Sequence, residues 1–491
     1  MARLSPDALD ARVREILDAY KVPGAAVSVL VDGKPLYRAS PGVMSVRSAK
    51  PVTDSATFDI GSVSKTFNAA AVALLVEVGR FGWDTRAIDL LPEFRLSDPT
   101  LTPHVTVRDL LGQAVGFGED NITNYNSRFS RDEIVRQCRF LPLRARFRQE
   151  CAYQQYGPVV ASTLVDKLTG RSWEDFVEDR VCGALALKET YATYFRMRDR
   201  SIACDPHMDL GDGRMSAFPH RNFDALAPAG AMVSSQRDME VWFTAFACGG
   251  MAGGKRLLKP ETVEALLEPG VPVRRDGIHP QRWYSRYEAN FVTYGMGWYA
   301  HDFAGRRINE HTGALEGFLV MGCAVPQDKI AVVILTNQHQ SSSVHALRYL
   351  LLSHGLGVEQ KDWDARYRAV SGSARRGARM IDGQPYFWRP LDRQEGTKPS
   401  WPLERLAGDF VHEGFGSVPV RVVDGKLHID VVGNPCVAEH WHHDLFRAVP
   451  DDPAIRSYHQ QIFCRFETGH GIGPNVLDIP TIGQFARSSA R

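Results

Sequence analysis

The chain has 491 residues, enough for two or three domains with substantial cores, and 44% of them are hydrophobic, the proportion of a soluble globular protein. Its 58 basic and 57 acidic side chains leave a formal net charge of +1, which excludes both the basic field of a nucleic-acid binder and a strongly acidic tail. The longest apolar runs, such as Ala69 to Val76, fall far short of the ~20 residues that span a membrane.

The start, "MARLSPDALDARVREILDAYKVPG", reads as a charged amphipathic helix rather than a signal peptide, so a cytoplasmic location is expected. "GAAVSVLVDGKPLYRA" follows as two β-rich runs joined at Asp32-Gly33, a hairpin signal. In "FDIGSVSKTFNAAAVALLVEVGRFGWD", Val63, Phe67, Ala70, Ala71, Leu74, Leu75 and Val78 recur at three- and four-residue steps, predicting a helix with one buried face that stops at Gly79. Ser62 and Lys65 then lie one turn apart on one side, so the amine can reach the hydroxyl. A capping serine accounts for most such patterns, but among the lysines of this chain only Lys65 follows a serine by three residues. The positive end of the helix dipole and partial burial both push Lys65 toward a neutral amine, the form that activates a nucleophile.

From Phe81 to His220 the chain reads as helices and loops, and Ala227 to Gly250 as a loop and then a helix. "GGMAGGKR" nearly matches a phosphate loop, but Arg256 stands where the magnesium-binding Ser or Thr belongs, so it reads as a glycine-rich helix exit. Three strands, "GRRINEH", "GFLVMGCAV" and "KIAVVILTN", precede a helix around "VHALRYLLLSHG". Strands at both ends with helices between them predict an α+β domain over residues 1–356.

Residues 357–402 turn to Arg, Gly, Pro and Ser and read as a connector, with Arg375, Arg376 and Arg379 as a short solvated basic patch. Residues 403–491 hold short strands with regular turns, Asp424-Gly425 among them, and predict a small all-β barrel or sandwich. Fewer than about 90 residues make a ligand-holding eight-stranded barrel tight. His440 and His442 in "EHWHHD" would share a strand face, where packing or surface roles outweigh metal binding. The eight cysteines are widely scattered and read as small buried hydrophobes in a reducing compartment. Neither Gly-x-Ser-x-Gly nor His-Glu-x-x-His occurs, which argues against an α/β-hydrolase and a zincin.

Ser62-Val63-Ser64-Lys65, "YQQYGPVVASTLVDKLTG" from Tyr153, "PAGAMVSS" from Pro228, "YGMGWY" from Tyr294 and "HTGALEGF" from His311 occur in this order. In this respect the chain resembles serine β-lactamases and penicillin-binding proteins, most of all class C-like esterases, D-peptidases and their transferase cousins. The resemblance covers about Val22 to Gly357, and the tail is similar to the lipocalin-like β domain appended to many of these enzymes. It implies a β-lactamase-like α+β domain, an antiparallel sheet flanked by helices with a helical subdomain, followed by a lipocalin-like barrel.

The resemblance also implies an acyl-enzyme mechanism without metal or cofactor. Ser62 is the nucleophile, Lys65 its base, Tyr153 a proton relay, and the amides of Ser62 and Ala314 an oxyanion hole. Gly313 would let a substrate backbone approach the strand edge. His311 stands where many relatives carry lysine, which disfavours tight capture of a β-lactam carboxylate and suggests tuning of the tyrosine and oxyanion near neutral pH. Gln155 takes the place usually held by asparagine, one methylene longer, so it either reaches a different part of the substrate or belongs to a shifted loop.

The leading expectation is a serine hydrolase or acyltransferase acting on peptidic or D-amino-acid-containing amides, esters or thioesters. Its expected partner is a peptide or small-molecule acyl donor, with neither nucleic acid nor membrane involved. A special form is a penicillin-binding-protein-type thioesterase that cyclises and releases nonribosomal peptides from an acyl- or peptidyl-carrier protein. A non-catalytic binding or sensing scaffold is the rival class.

Overall fold

The computed structural model describes residues 4–118, 129–209, 214–274, 288–339, 341–368, 379–381, 384–386, 393–458, 462–469, 473–480 and 482–488. Arg375 and Arg376 of the basic patch lie outside them.

An eight-stranded sheet organises the first domain. Its strands are β1 (Ala25–Val31), β2 (Lys34–Ala39), β3 (Val271–Pro272), β4 (Val292–Tyr294), β5 (Tyr299–Phe303), β6 (Arg306–Leu315), β7 (Phe318–Val325) and β8 (Ile330–Thr336), in the order β2-β1-β8-β7-β6-β5-β4-β3. Strands from the two ends of the domain meet where β1 pairs antiparallel with β8, from Ala25 opposite Thr336 to Val31 opposite Ile330. At the β1–β2 turn Asp32 and Gly33 both take positive φ, the backbone that a two-residue hairpin requires.

Strands β7 and β8 read as unbroken apolar runs because both of their faces are covered. On one face Leu319, Met321, Val332 and Ile334 pack against helices α1 (Pro6–Ala19) and α5 (Ser343–Leu356). On the other, Phe318, Val320, Val333 and Leu335 join a core built with α2 (Ser64–Glu77), α3 (Tyr156–Thr169) and α4 (Gln236–Ala247).

Helix α2 departs from the expected single buried face. Ser64 through Ala73 are all buried, because the helix runs through the middle of this core, whereas Val78 lies past the helix end and is 69% exposed. Gly79 does terminate it, in the left-handed region at φ 73°. The polar residues of α2 each find a partner in the neighbouring elements. Trp242 of α4 stacks on Phe67 at 3.6 Å and donates its indole N–H to Thr66 Oγ1 at 3.0 Å. Asn68 donates to Pro158 O at 2.8 Å and accepts from Trp173 Nε1 at 2.9 Å.

The connector is not uniformly loose, since Trp363 and Tyr367 are buried beside Tyr349 of α5. Beyond it, eight strands from Gly408–His412 to Gly483–Arg487 close into an antiparallel barrel. The short tail does close the barrel, and buried Phe410, Leu427, Ile429, Phe446, Phe466 and Phe485 give it a packed core. It docks on the helical side of the first domain. Gln137 Nε2 donates to Gly414 O at 3.0 Å, and Phe140 meets His412 edge-on at 4.9 Å. All eight cysteines are free thiols, six of them buried.

Truncating Trp242 to alanine removes the stacked partner of Phe67 and the indole donor to Thr66. The expected loss is about 3–5 kcal/mol of stability, read as a lowered denaturation midpoint.

Candidate active site

The polypeptide enters the site from a short strand, Thr57–Asp59, paired with Val233–Ser235. It then makes a single 3₁₀ turn, Gly61–Val63, that carries Ser62 and leads directly into α2. Ser62 therefore sits on the turn before the α-helix, and no side chain caps that helix. Ser64 fastens the turn instead. Its hydroxyl donates to Gly61 O at 2.6 Å and accepts from the Met232 amide at 3.1 Å.

Lys65 is fully buried, with Nζ in contact with three oxygens: Ser62 Oγ at 3.1 Å, Gln155 Oε1 at 2.7 Å and Ala229 O at 2.6 Å. Burial holds its pKa well below the ordinary lysine value. A neutral amine has two N–H bonds and one lone pair. The two carbonyl oxygens can only accept, so they take the two N–H bonds and leave the lone pair for the Ser62 hydroxyl proton. The arrangement therefore suits a base and disfavours a spectator cation.

Gln155 keeps its place beside Lys65 despite the longer side chain, directing its carbonyl oxygen to Nζ. Its neighbour Gln154 is buried and braces the loop, exchanging hydrogen bonds with Gln113 and accepting from the Gly157 amide at 3.0 Å. Tyr153 lays its ring 4.8 Å from Lys65 Nζ and stacks against Tyr299 at 6.0 Å.

His311 closes the other side. Its Nδ1 lies 2.8 Å from Thr312 O, so Nδ1 carries the proton. Nε2 is then the acceptor for the Tyr294 hydroxyl at 3.0 Å. Burial, assisted by the Lys65 charge, lowers its pKa to about 3. Burial is the larger cause and persists when Lys65 is neutral. The expectation of histidine tuning near neutral pH is thus corrected, because at neutral pH His311 is a fixed, uncharged dipole.

Strand β6 supplies the remaining wall. Its partner β5 pairs only as far as Glu310, so residues 311–315 pair with β7 alone among the described ladders and keep one open edge. Gly61, at φ 50°, lies against that stretch, where a β-carbon would stand 2.7 Å from the Ala314 amide nitrogen. A β-carbon on Gly313 would stand 1.8 Å from Ile60 O. The nucleophile turn itself therefore requires glycine at 313. The amides of Ser62 and Ala314 are brought to the same corner by this close packing.

Ala229 and Tyr294 were missed as functional positions, although both fall inside stretches that the sequence marks. A backbone carbonyl has no residue-type signature, and the Tyr294–His311 contact joins β4 and β6, which are not neighbours in the sheet. Behind His311, Glu310 is fully buried and pairs with Arg348 at 2.6 Å and His301 at 3.2 Å. Burial pushes its carboxyl up, but these two partners outweigh it and hold it down at about 2.

Residues 9–356 match the Beta-lactamase family, and residues 392–474 match a domain of unknown function, DUF3471. The chain is 26% identical over 444 residues to the unguisins hydrolase ungD of Aspergillus violaceofuscus, covering 85% of this chain and 77% of that protein. It is 27% identical over 329 residues to penicillin-binding protein 4 of Amycolatopsis lactamdurans, covering 65% and 81%. The octameric penicillin-binding protein homologue of Pyrococcus abyssi superposes with a TM-score of 0.65 at 18% identity, across 99% of this chain and 100% of that one, so the barrel is part of the shared fold. The family match spans the sheet, the Ser62 turn, the Tyr153 loop and the His311 strand together, and the chain belongs to the Beta-lactamase family of serine hydrolases.

Proposed function

We propose that the protein is a serine hydrolase that forms an acyl-enzyme at Ser62 and acts on peptidic or D-amino-acid-containing amides, esters or thioesters. The observation that carries this reading is the three-way contact of Lys65 Nζ, whose two N–H bonds are committed to Gln155 and Ala229. Its lone pair is left to draw the proton from Ser62 Oγ at 3.1 Å.

In the first step Ser62 Oγ bonds to the substrate carbonyl carbon while its proton passes to Lys65. The carbonyl oxygen becomes an oxyanion between the Ser62 and Ala314 amides. Collapse of this intermediate breaks the bond to the leaving group, which departs with a proton relayed through Tyr153. Water then attacks the ester by the same steps in reverse, releasing the acid and restoring Ser62. An amine of the acyl chain taking the place of water would give a cyclic product. Hydrolysis is favoured by similarity over 85% of the chain to a protein whose name is unguisins hydrolase.

Ser62→Ala should abolish acylation, and Lys65→Ala should lower turnover by at least about 10³-fold through loss of the base. Mass spectrometry after mixing with a peptidyl thioester bearing a D-residue at its carboxyl end reads both. A Ser62-dependent adduct with linear acid supports hydrolysis, and cyclic product assigns transfer to an internal amine. Unchanged turnover in Ser62→Ala overturns the proposal.

Gln155→Glu adds an acceptor charge beside Lys65 and should raise the amine's pKa, moving the acid limb of kcat/KM to higher pH, whereas Gln155→Asn should leave the limb in place. His311 contributes no limb. Its imidazole nitrogens, followed by 15N NMR from pH 5 to 9, should show a single neutral Nδ1–H tautomer throughout, because its titration lies near 3. A histidine titration inside that range assigned to His311 contradicts this geometry.

A further inference from the structure

The open edge of β6 has two ends. Tyr153 and His311 stand at one, where a leaving group must collect its proton. An acyl chain lying along the edge from the reacting carbonyl runs the other way, past Ala314 and Leu315. At about 3.3 Å per residue it meets, within about two residues, the turn that joins β6 to β7.

That turn carries Glu316, whose side chain is only 2% exposed. Neither of its carboxylate oxygens receives a hydrogen bond among the described residues, and Oε2 is held solely by a 2.5 Å charge contact with Arg221 Nε. Arg221 in turn pairs through Nη2 with Asp452, in the segment that follows the barrel strand Leu445–Pro450. Arg221 and Asp452 are partly exposed, at 23% and 34%, so the cluster opens to solvent on the barrel side. With one guanidinium between two carboxylates the three groups sum to one negative charge. A buried carboxylate whose only charged contact among the described residues is shared with a second carboxylate gains from a further positive charge placed near it.

We propose that Glu316, Arg221 and Asp452 form the acyl-end subsite of the groove, shared between the two domains. It selects acyl donors carrying a cationic group, and rejects those carrying a carboxylate, about two residues from the reacting carbonyl. The ligand's positive charge approaches from the solvent-facing side of Arg221 and Asp452 and is drawn by the negative charge of the cluster, while Arg221 fixes the buried Glu316 carboxylate and ties it to the barrel. Burial raises the Glu316 carboxyl to about 7, with Arg221 opposing and Asp452 adding to the shift, so the negative charge of the subsite is complete above neutral pH. This inference rests on the Ser62 acyl-enzyme reading and extends it to a substrate class.

The test uses the full chain at pH 8.5 and glycine p-nitrophenyl esters capped with betainyl, acetyl or succinyl groups, which place a fixed cation, no charge or an anion at the required distance. Glycine at the reacting position removes any stereochemical preference. The kcat/KM values should fall in the order betainyl, acetyl, succinyl, with at least a tenfold span between the first and last. In Glu316→Gln the span should shrink to within about twofold, and in Asp452→Asn, at the exposed end of the cluster, to an intermediate value. Equal rates for the three esters in the wild type, or an undiminished span in Glu316→Gln, overturn the subsite while leaving the acyl-enzyme reading intact. Failure of the wild type to turn over even p-nitrophenyl acetate faster than Ser62→Ala removes the acyl-enzyme reading and the subsite with it.

Discussion

A buried lysine amine with no carboxylate beside it among the described residues is the constraint around which this domain is built. Lys65 lies in the core of a helix that is covered on nearly every side, and an ammonium there would carry an uncompensated charge in a medium of low polarity. The surroundings answer with two carbonyl oxygens from opposite directions, Gln155 from the loop before α3 and Ala229 from the segment before α4. Each is held by its own device. Gln154 anchors the first loop through Gln113, and the hydroxyl of Ser64 anchors the second through the Met232 amide. Helix α2 brings the nucleophile, and its neighbours bring the acceptors that decide the protonation state of the base.

The second constraint is one of space. Ile60 O lies where a side chain at position 313 would begin, and Gly61 lies against the Ala314 amide. The turn bearing Ser62 is thereby wedged against the half of β6 that β5 does not pair, so the nucleophile and the strand amide reach a common corner without a flexible side chain between them. Any residue larger than glycine at 313 would push the turn and the strand apart. Preorganised donors of this kind need no rearrangement as negative charge develops on a carbonyl oxygen.

Much of this was legible in the sequence, for reasons that differ from element to element. Strands β1, β7 and β8 announce themselves because burial on both faces demands unbroken apolar runs, and the Asp-Gly turns at 32–33 and 424–425 fix two hairpins by backbone conformation alone. Ser62, Lys65 and Tyr153 are readable because their chemistry needs particular residue types at particular spacings. Strands β4 and β5 are not, since they span three and five residues around Gly295 and Gly297, and their pairing is set by the sheet rather than by propensity. Contacts between residues far apart in sequence leave no local trace. The pairing of Glu310 with Arg348, thirty-eight residues on, and the bridge from Glu316 through Arg221 to Asp452 belong to that class.

The two glutamates at either end of the catalytic stretch of β6 show how placement alone sets charge. Glu310 and Glu316 are both buried, yet the first is held at about 2 and the second is raised to about 7. Burial pushes both upward. Glu310 has a guanidinium and an imidazole on its oxygens, which outweigh the burial, whereas Glu316 has one arginine that it shares with Asp452. Their effects on stability therefore run in opposite directions. The contribution of Glu310 is complete above the ordinary carboxyl value of 4.5 and is lost as pH falls through about 2. That of Glu316 is complete below 4.5 and is lost as pH rises through about 7. His311, held neutral, adds stability that is complete above 6.5 and is lost as pH falls through about 3. Near neutrality the strand thus keeps one permanent negative charge behind the catalytic corner, an uncharged histidine within it, and a carboxylate at its far end that acquires its full charge only above neutral pH. The last of these opposes folding when ionised and gains most from a positive charge nearby, and the Arg221–Asp452 pair that connects it to solvent is the side from which one can act.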